Sequence, residues 1–219
     1  FVKAVDRVSF SLKKGETLGL VGESGCGKTT TGRTILKLYE PQEGSILIDG
    51  IDISQIDPAD LRKKISYVPQ DIHLFRNTIK NNILGSYKFV DDEWMIKCSK
   101  ISGTDEFVKL HPVGYDMPIG ERGAGLSGGQ RQSVGIARAL INDSKIYLFD
   151  EPTNAMDQTS ESNVLNNLKE NLEEKTLFLV TQKMNMLDLV TRVIVMNQGE
   201  KVLDGDKMEI IKKLGVNNG

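Results

Sequence analysis

Apolar residues follow two rhythms along this chain. From residue 1 to 21 the period is two: VDRVSFSL is apolar at alternate positions, KKGE reads as a turn and TLGLV is a short apolar run. The segment therefore predicts a strand pair. After the glycine-rich break GESGCGKTT, TGRTILKLYE takes helical period. EPQEGSILIDGIDI predicts two short strands about Asp49-Gly50, a dipeptide suited to a tight hairpin turn. DPADLRKKI predicts a short helix with Asp57 at its N-cap and Pro58 at its first position, and ISYVPQ a strand that stops at Pro69. From about 75 to 143 the helical period dominates, in NTIKNNILG, DDEWMIKCSKISG, TDEFVKLH and RQSVGIARALIN. KIYLFDEP then predicts a buried strand ending in two acids. SESNVLNNLKENLEE predicts a helix, KTLFLVTQK a strand, VTRVIVMNQGEKVLDGD a hairpin and KMEIIKKLG a last helix. Strands alternate with helices at both ends and a helical stretch lies between them, which makes the fold α/β with a mostly parallel central sheet. No internal repeat or low-complexity tract interrupts the pattern.

Composition narrows the function classes. Lys plus Arg is 28 and Asp plus Glu is 30, a formal net charge of −2. That balance argues against a dedicated nucleic-acid binder and against an acidic disordered chain. At 219 residues the chain can bury a full core without disulfide or metal staples. No apolar run approaches the roughly 18–20 residues that span a bilayer, and FVKAVDRVSF lacks the pattern of a secretory leader. Cys26 and Cys98 fit a reducing compartment better than a disulfide framework. His73 and His111 are too few for a histidine-rich metal site. The chain opens at Phe1, inside what reads as a strand, so it is expected to be part of something longer.

Three segments carry chemistry. Gly22-Glu23-Ser24-Gly25-Cys26-Gly27-Lys28-Thr29 fits G-x-x-x-x-G-K-[ST] and lies between a predicted strand and a predicted helix, the context that motif requires. Glycines let backbone N–H groups turn inward around phosphate oxygens, and a helix N-terminus adds partial positive charge. Lys28 would reach the terminal phosphates and the Thr29 hydroxyl would meet Mg²⁺. Cys26 occupies a variable position and reads as a small filler. The second segment, Ile146-Tyr147-Leu148-Phe149-Asp150-Glu151, is a buried strand that delivers Asp150 to the carboxyl edge of the sheet. Asp150 could hold Mg²⁺, and Glu151 could serve as general base for an attacking water. Each acid alone would read as a solvated strand end.

A third segment, Leu126-Ser127-Gly128-Gly129-Gln130, opens the helix RQSVGIARAL and reads as a second anion-binding helix start. One nucleotide needs one cradle, whereas two copies facing head to tail would use both. GESGCGKTT, VPQD, LSGGQ, YLFDEP and NAMD, in that order, closely resemble the nucleotide-binding domain of ABC (ATP-binding cassette) transporters over essentially the whole chain. The resemblance implies a P-loop NTPase with a RecA-like core, an antiparallel β subdomain and an inserted α-helical subdomain. It implies one domain over 1–219, with 1–74 and 144–219 as catalytic core and β subdomain and 75–143 as the helical subdomain that carries the signature. It places Gly22, Ser24, Gly25, Cys26, Gly27, Lys28, Thr29 and Thr30 on the nucleotide. Gln70 becomes the Q-loop residue that senses Mg²⁺ together with Thr29 and Asp150. Ser127, Gly128, Gly129 and Gln130 become the signature presented to a second copy, and Asp157 the D-loop residue that works across that dimer. ATP and Mg²⁺ are the implied cofactors. A second nucleotide-binding domain and transmembrane domains are the implied partners, at the cytoplasmic side of a membrane and with no nucleic acid.

Two departures stand out. The family's switch histidine after a strand such as TLFLVT is here Gln182, whose amide can donate a hydrogen bond but cannot become a cation or shuttle a proton. Binding is expected to survive while turnover slows, so a hydrolysis-impaired dimerisation switch is the alternative reading. Residues from about 1 to 38 resemble the ATPase subunit of an oligopeptide or dipeptide importer. From about 41 onward the text resembles a haemolysin-type exporter, with Ile119-Gly120-Glu121-Arg122-Gly123 like an exporter X-loop. A mosaic joined near 38–45 is one expectation. The aromatic platform for adenine, worth on the order of 1–3 kcal/mol per stacked base in nucleic-acid cases, has only Phe1 as a nearby candidate. A soluble relative acting in translation or DNA repair is a weaker reading, because no tandem cassette or coiled-coil insert is visible and Glu121-Arg122-Gly123 leans towards transport, and a small-molecule kinase is the weakest, because LSGGQ has no use there.

Overall fold

The apolar runs at 17–21, 146–150 and 176–181 become adjacent parallel strands, and residues buried on both faces of a sheet read this way in sequence. The computed structural model describes residues 3–87 and 89–215. In chain order they form β1 (Thr17–Val21), α1 (Lys28–Ile35), β2 (Leu47–Ile48), β3 (Ile51–Asp52), α2 (Pro58–Lys64), β4 (Ile65–Val68), β5 (Asn77–Thr78), α3 (Ile79–Leu84), α4 (Asp92–Ile101), α5 (Thr104–Val108) and β6 (Pro118–Ile119). These are followed by α6 (Gly128–Leu140), β7 (Ile146–Asp150), α7 (Gln158–Asn171), β8 (Thr176–Thr181), β9 (Arg192–Asn197), β10 (Glu200–Asp206) and α8 (Lys207–Lys213). They gather into two compact units. The first holds the chain up to Ile65, Ser144–Asp150 and everything from Glu174. The second holds Ser66–Asp143 and Glu151–Glu173.

In the first unit the strands run in the order β10-β9-β1-β8-β7. β1 pairs in parallel with β8 and with β9, β7 pairs in parallel with β8, and β9 with β10 forms the expected antiparallel hairpin. Leu18, Leu20, Leu148, Phe149, Leu177, Leu179, Val193 and Ile194 fill the core around these strands. The β2–β3 hairpin turns at Asp49 (φ 52°) and Gly50 (φ 80°), and two positive φ values match the right-handed twist of the flanking strands. Asp57 caps α2 as expected, its Oδ1 accepting from the Ala59 N–H at 2.7 Å with Pro58 next in line.

One expected strand does not form. Residues 3–16 carry no strand, although Val8, Phe10 and Leu12 are half-buried and Ser9 and Ser11 exposed, so the alternation is real. Part of the backbone here is bonded to side chains instead of a ladder. Arg192 Nη1 donates to the Ser11 carbonyl at 2.7 Å and Lys201 Nζ to the Ser9 carbonyl at 2.7 Å. The apolar side is held by Phe10, whose ring stacks on Phe178 at 5.8 Å. Period two reports a segment with one buried side, and strand pairing additionally needs a partner backbone.

The second unit is mainly helical, α3 to α7, with a short β5–β6 pair. Asn82, 1% exposed, closes the turn before α3. Its Oδ1 accepts from the Phe75 N–H and its Nδ2 donates to the Phe75 and Thr78 carbonyls. Arg138 on α6 then donates to the Asn82 and His73 carbonyls. Trp94 on α4 donates to the Ile141 carbonyl just beyond α6. Cys98 on α4 is fully buried, and burial pushes its thiol up to about 12, so it is an inert core residue. Among the described residues no helix is long and apolar enough to cross a membrane.

Candidate functional site

The C-terminal ends of three neighbouring parallel strands meet in register in the first unit. Val21 lies opposite Thr181, and Asp150 opposite Val180. Gly22, Gln182 and Asp150 therefore leave the sheet at one edge, where open α/β sheets place their ligands. Between β1 and α1 the loop turns through Gly22 (φ 152°), Gly25 (φ 81°) and Gly27 (φ 99°). A Cβ at Gly22 would fall 2.2 Å from the Met196 carbonyl oxygen, and one at Gly27 would fall 2.1 Å from the Ala4 carbonyl oxygen. At these two positions only glycine fits both the space and the backbone. Helix α1 starts without a side-chain cap, so its first amides are not consumed by the loop's own side chains. Lys28 is 5% exposed, and its ammonium donates to the Gly22 carbonyl at 2.5 Å and the Glu23 carbonyl at 2.8 Å, bridging the loop. Cys26 Sγ lies 3.7 Å from it and is buried, the filler position expected. Ser24 is exposed and Thr30 half-buried.

The Thr29 hydroxyl donates to Asp150 Oδ1 at 3.0 Å, and Asp150 is 1% exposed. Two hard oxygen groups thus stand together at the start of α1. Among the described residues no three His, Cys, Asp or Glu side chains converge. A divalent cation here would therefore lean on phosphate oxygens and water, as Mg²⁺ with a nucleotide does, and the donor set fits that ion.

The second unit holds the other residues singled out by sequence. Gln70 lies exposed in the bend after β4 and Pro69. Ser127 caps α6: its Oγ accepts from the Gln130 N–H at 3.1 Å, while Gln130 Oε1 accepts from the Ser127 N–H at 2.9 Å. This reciprocal capping box uses the Ser127 and Gln130 N–H groups within the chain. Gly128 and Gly129 have a separate use. A Cβ at Gly128 would fall 2.8 Å from Ala155 Cβ, and one at Gly129 would meet the Ala155 carbonyl oxygen at 3.1 Å. Asp157 caps α7, accepting from the Thr159 and Ser160 N–H groups and from the Ser160 hydroxyl at 2.7 Å. The Ser160 backbone and hydroxyl bonds hold its carboxyl below the usual range. Glu121 and Arg122 are exposed, and Arg122 takes a left-handed backbone (φ 54°). Glu151 is 3% exposed, has φ 49°, and neither carboxylate oxygen has a hydrogen-bond partner among the described residues.

Sequence reasoning passed over Gln132. It is 5% exposed, its Oε1 accepts from the Ala155 N–H at 2.7 Å, and its Nε2 donates to the Glu151 carbonyl at 3.4 Å. The available signal was a glutamine on the same face of α6 as Ile136 and Ala139, a polar residue at an apolar position. Phe1, the adenine candidate, lies outside the described residues.

The sequence pattern of the family described as "ABC transporter" matches residues 5–154. The chain belongs to that family. Among relatives of this ABC transporter chain is the "Leukotoxin translocation ATP-binding protein LktB" of Pasteurella haemolytica-like sp. (strain 5943B), 39% identical over 215 residues that make up 98% of this chain and 30% of the relative. The "Leukotoxin export ATP-binding protein LtxB" of Aggregatibacter actinomycetemcomitans is 36% identical over 208 residues, 95% of this chain and 29% of the relative. A solved "bacterial Atm1-family ABC exporter with ATP bound" superposes with a TM-score of 0.90 at 33% identity, over 97% of this chain and 37% of that one. The chain thus spans about a third of the length of these proteins. A single exporter-type relative aligns across 215 residues, through the 38–45 join, and gives no support to a mosaic or to an oligopeptide-importer parentage.

Proposed function

We propose that this chain is the ATP-hydrolysing motor domain of an ABC exporter, closing as a pair of copies around two Mg-ATP. The observation that carries the reading is the bridged phosphate loop with the Thr29 hydroxyl on Asp150. In this reading the loop amides and Lys28 bind the phosphates. Thr29 and Asp150 would hold Mg²⁺, with Gln70 as its sensor, and the ion would supply charge neutralisation for the transferring phosphate. Glu151 takes a proton from water on a carboxylate oxygen as the water oxygen bonds to the γ-phosphorus and the bond to ADP breaks. Its two oxygens, without a hydrogen-bond partner among the described residues, suit it to receive that proton. The second copy contributes Ser127, Gly128, Gly129 and Gln130, and Asp157 works across the pair. The named leukotoxin relatives support export of a haemolysin-type cargo. Transmembrane domains would dock on the second unit, where Gln70, Glu121 and Arg122 are exposed, and the chain would work at the cytoplasmic face of a membrane without nucleic acid. The expected division into 1–74 with 144–219 and 75–143 remains part of this proposal.

A second reading is an ATP-dependent dimerisation switch, favoured by Gln182 at the β8 edge in place of histidine. Phosphate release from Mg-ATP, with dimer lifetime by light scattering, tests both. Slow turnover that falls by roughly 10²–10⁴ in Glu151→Gln, with ATP still bound, is the expected result. Faster turnover in Gln182→His supports the histidine argument. Brisk, equal rates in the chain and in Gln182→His would remove it, and a chain that never binds Mg-ATP would remove both readings.

A further inference from the structure

Glu151 combines three features: a buried carboxylate, a left-handed backbone and no side-chain hydrogen bond among the described residues. A left-handed non-glycine residue persists only where its surroundings over-determine it. Here the aim of the carboxylate depends on how the backbone is held. The segment from Glu151 to Met156 is a tight turn, closed by Asn154 N–H to the Glu151 carbonyl at 3.3 Å and Met156 N–H to the Thr153 carbonyl at 3.1 Å. One side chain reaches both ends of it. Gln132 gives its N–H to the Glu151 carbonyl and its oxygen to the Ala155 N–H, using both halves of its amide in a buried setting. The same helix presses Gly128 and Gly129 against Ala155 and Met156. A second brace comes from α7, where the Thr153 hydroxyl donates to the buried Glu161 carboxylate.

We propose that Gln132 is a positioning residue that fixes the Glu151 backbone and thereby ties the aim of this glutamate to the signature loop at the head of the same helix. This rests on Glu151 being the base, as read above. A ligand engaging Ser127–Gln130 would act on α6 five to two residues ahead of Gln132. The device therefore links the signature of a copy to the glutamate of that same copy, and so links the two ATP sites of a pair.

The test compares Gln132→Met, which offers neither hydrogen bond, with Gln132→Glu, which keeps an acceptor for the Ala155 N–H and loses the donor to Glu151. Val134→Ala, fully buried on the same helix, controls for general loss of stability. Each is measured for kcat, KM for Mg-ATP, Tm and amide exchange at Ala155. Gln132→Met is expected to lose about tenfold or more in kcat with KM moving by less than about twofold, while Ala155 exchanges faster. Gln132→Glu is expected to restore Ala155 protection and leave kcat low. Val134→Ala is expected to lower Tm without splitting kcat from KM. Unchanged kcat in both Gln132 variants, or the same kcat loss in Val134→Ala at equal Tm, overturns the proposal. Should Gln132→Met not fold, the Gln132→Glu comparison decides alone. Should the wild-type chain release no phosphate, the ATPase reading fails, and unchanged Ala155 exchange in Gln132→Met would separately show that the brace does not exist.

Discussion

Two glycine-rich helix starts lie in this chain, and they are built on opposite plans. At α1 the N-cap is the left-handed Gly27, no side chain caps the helix, and a buried ammonium stands over the loop carbonyls. At α6 the N-cap is Ser127 with extended backbone, and a reciprocal box with Gln130 closes two of the donors. The glycines differ as well. Gly22 and Gly27 are there for positive φ and for space against main-chain carbonyls, whereas Gly128 and Gly129 give Ala155 and Met156 room to approach. Glycine, serine and a helix start do not define a phosphate site by themselves. What distinguishes the first is a helix start without a side-chain cap, together with its own cation, the combination that the phosphate reading requires.

Of changes within the two helix starts, removing that cation has the largest expected effect. Lys28→Met deletes the one buried ammonium that bridges the loop, and phosphate release should fall by roughly 10²–10³, the usual loss for a preorganised charge-stabilising donor. A Lys28→Met chain that hydrolyses at the wild-type rate would erase the contrast between the two helix starts.

The next effect separates space from backbone conformation within the first loop. Gly27→Ala meets the Ala4 carbonyl oxygen at 2.1 Å in a left-handed residue, whereas Gly25→Ala has the same backbone problem and open space around it. Backbone strain costs about 1–3 kcal/mol in either variant, and overlap with main chain adds about 1–3 kcal/mol more in Gly27→Ala. At about 2–4 °C per kcal/mol for a chain of this size, Gly27→Ala should melt several degrees below Gly25→Ala. Equal melting temperatures would mean the close approach to Ala4 does not shape the loop.

The first of these sites was legible in sequence because every part of it is local or in register. The glycines, the preceding apolar run and the following helix are contiguous. Asp150 reaches Thr29 because a buried strand ending in an acid has one edge to go to. The second was half legible. Ser127-x-x-Gln130 is the spacing of a capping box as much as of an anion site, and only the backbone decides which bonds form. The packing of Gly128 on Ala155 and the reach of Gln132 join residues 19 or more apart, and no local pattern encodes them. The missing strand at 3–16 failed for the same reason. Arg192 and Lys201, about 180 to 190 residues downstream, bond its Ser11 and Ser9 carbonyls, and alternation alone cannot report a distant cation.

The smallest expected effect tests the second helix start. Ser127→Ala removes the Oγ that accepts from Gln130 N–H and frees the partner side chain. Loss of an N-cap costs about 1 kcal/mol, less when water can replace it, and Ser127 is exposed. The expected drop in Tm is about 2–4 °C. Neither Ser127 nor Gln130 titrates, so the difference should stay flat as pH falls. Asp157, the cap of α7, supplies the contrast, because its cap is an ionised carboxylate. Hydrogen bonds to Ser160 hold its folded value below the ordinary 3.8, so its contribution is fully present above 3.8 and is lost as pH falls through the lower folded value. The Tm gap between wild type and Asp157→Asn should therefore close only in strong acid, while the Ser127→Ala gap persists there. A Ser127→Ala gap that closed in parallel would mean the α6 start is held by charge, and the distinction between its self-capped amides and the bare amides of α1 would fail.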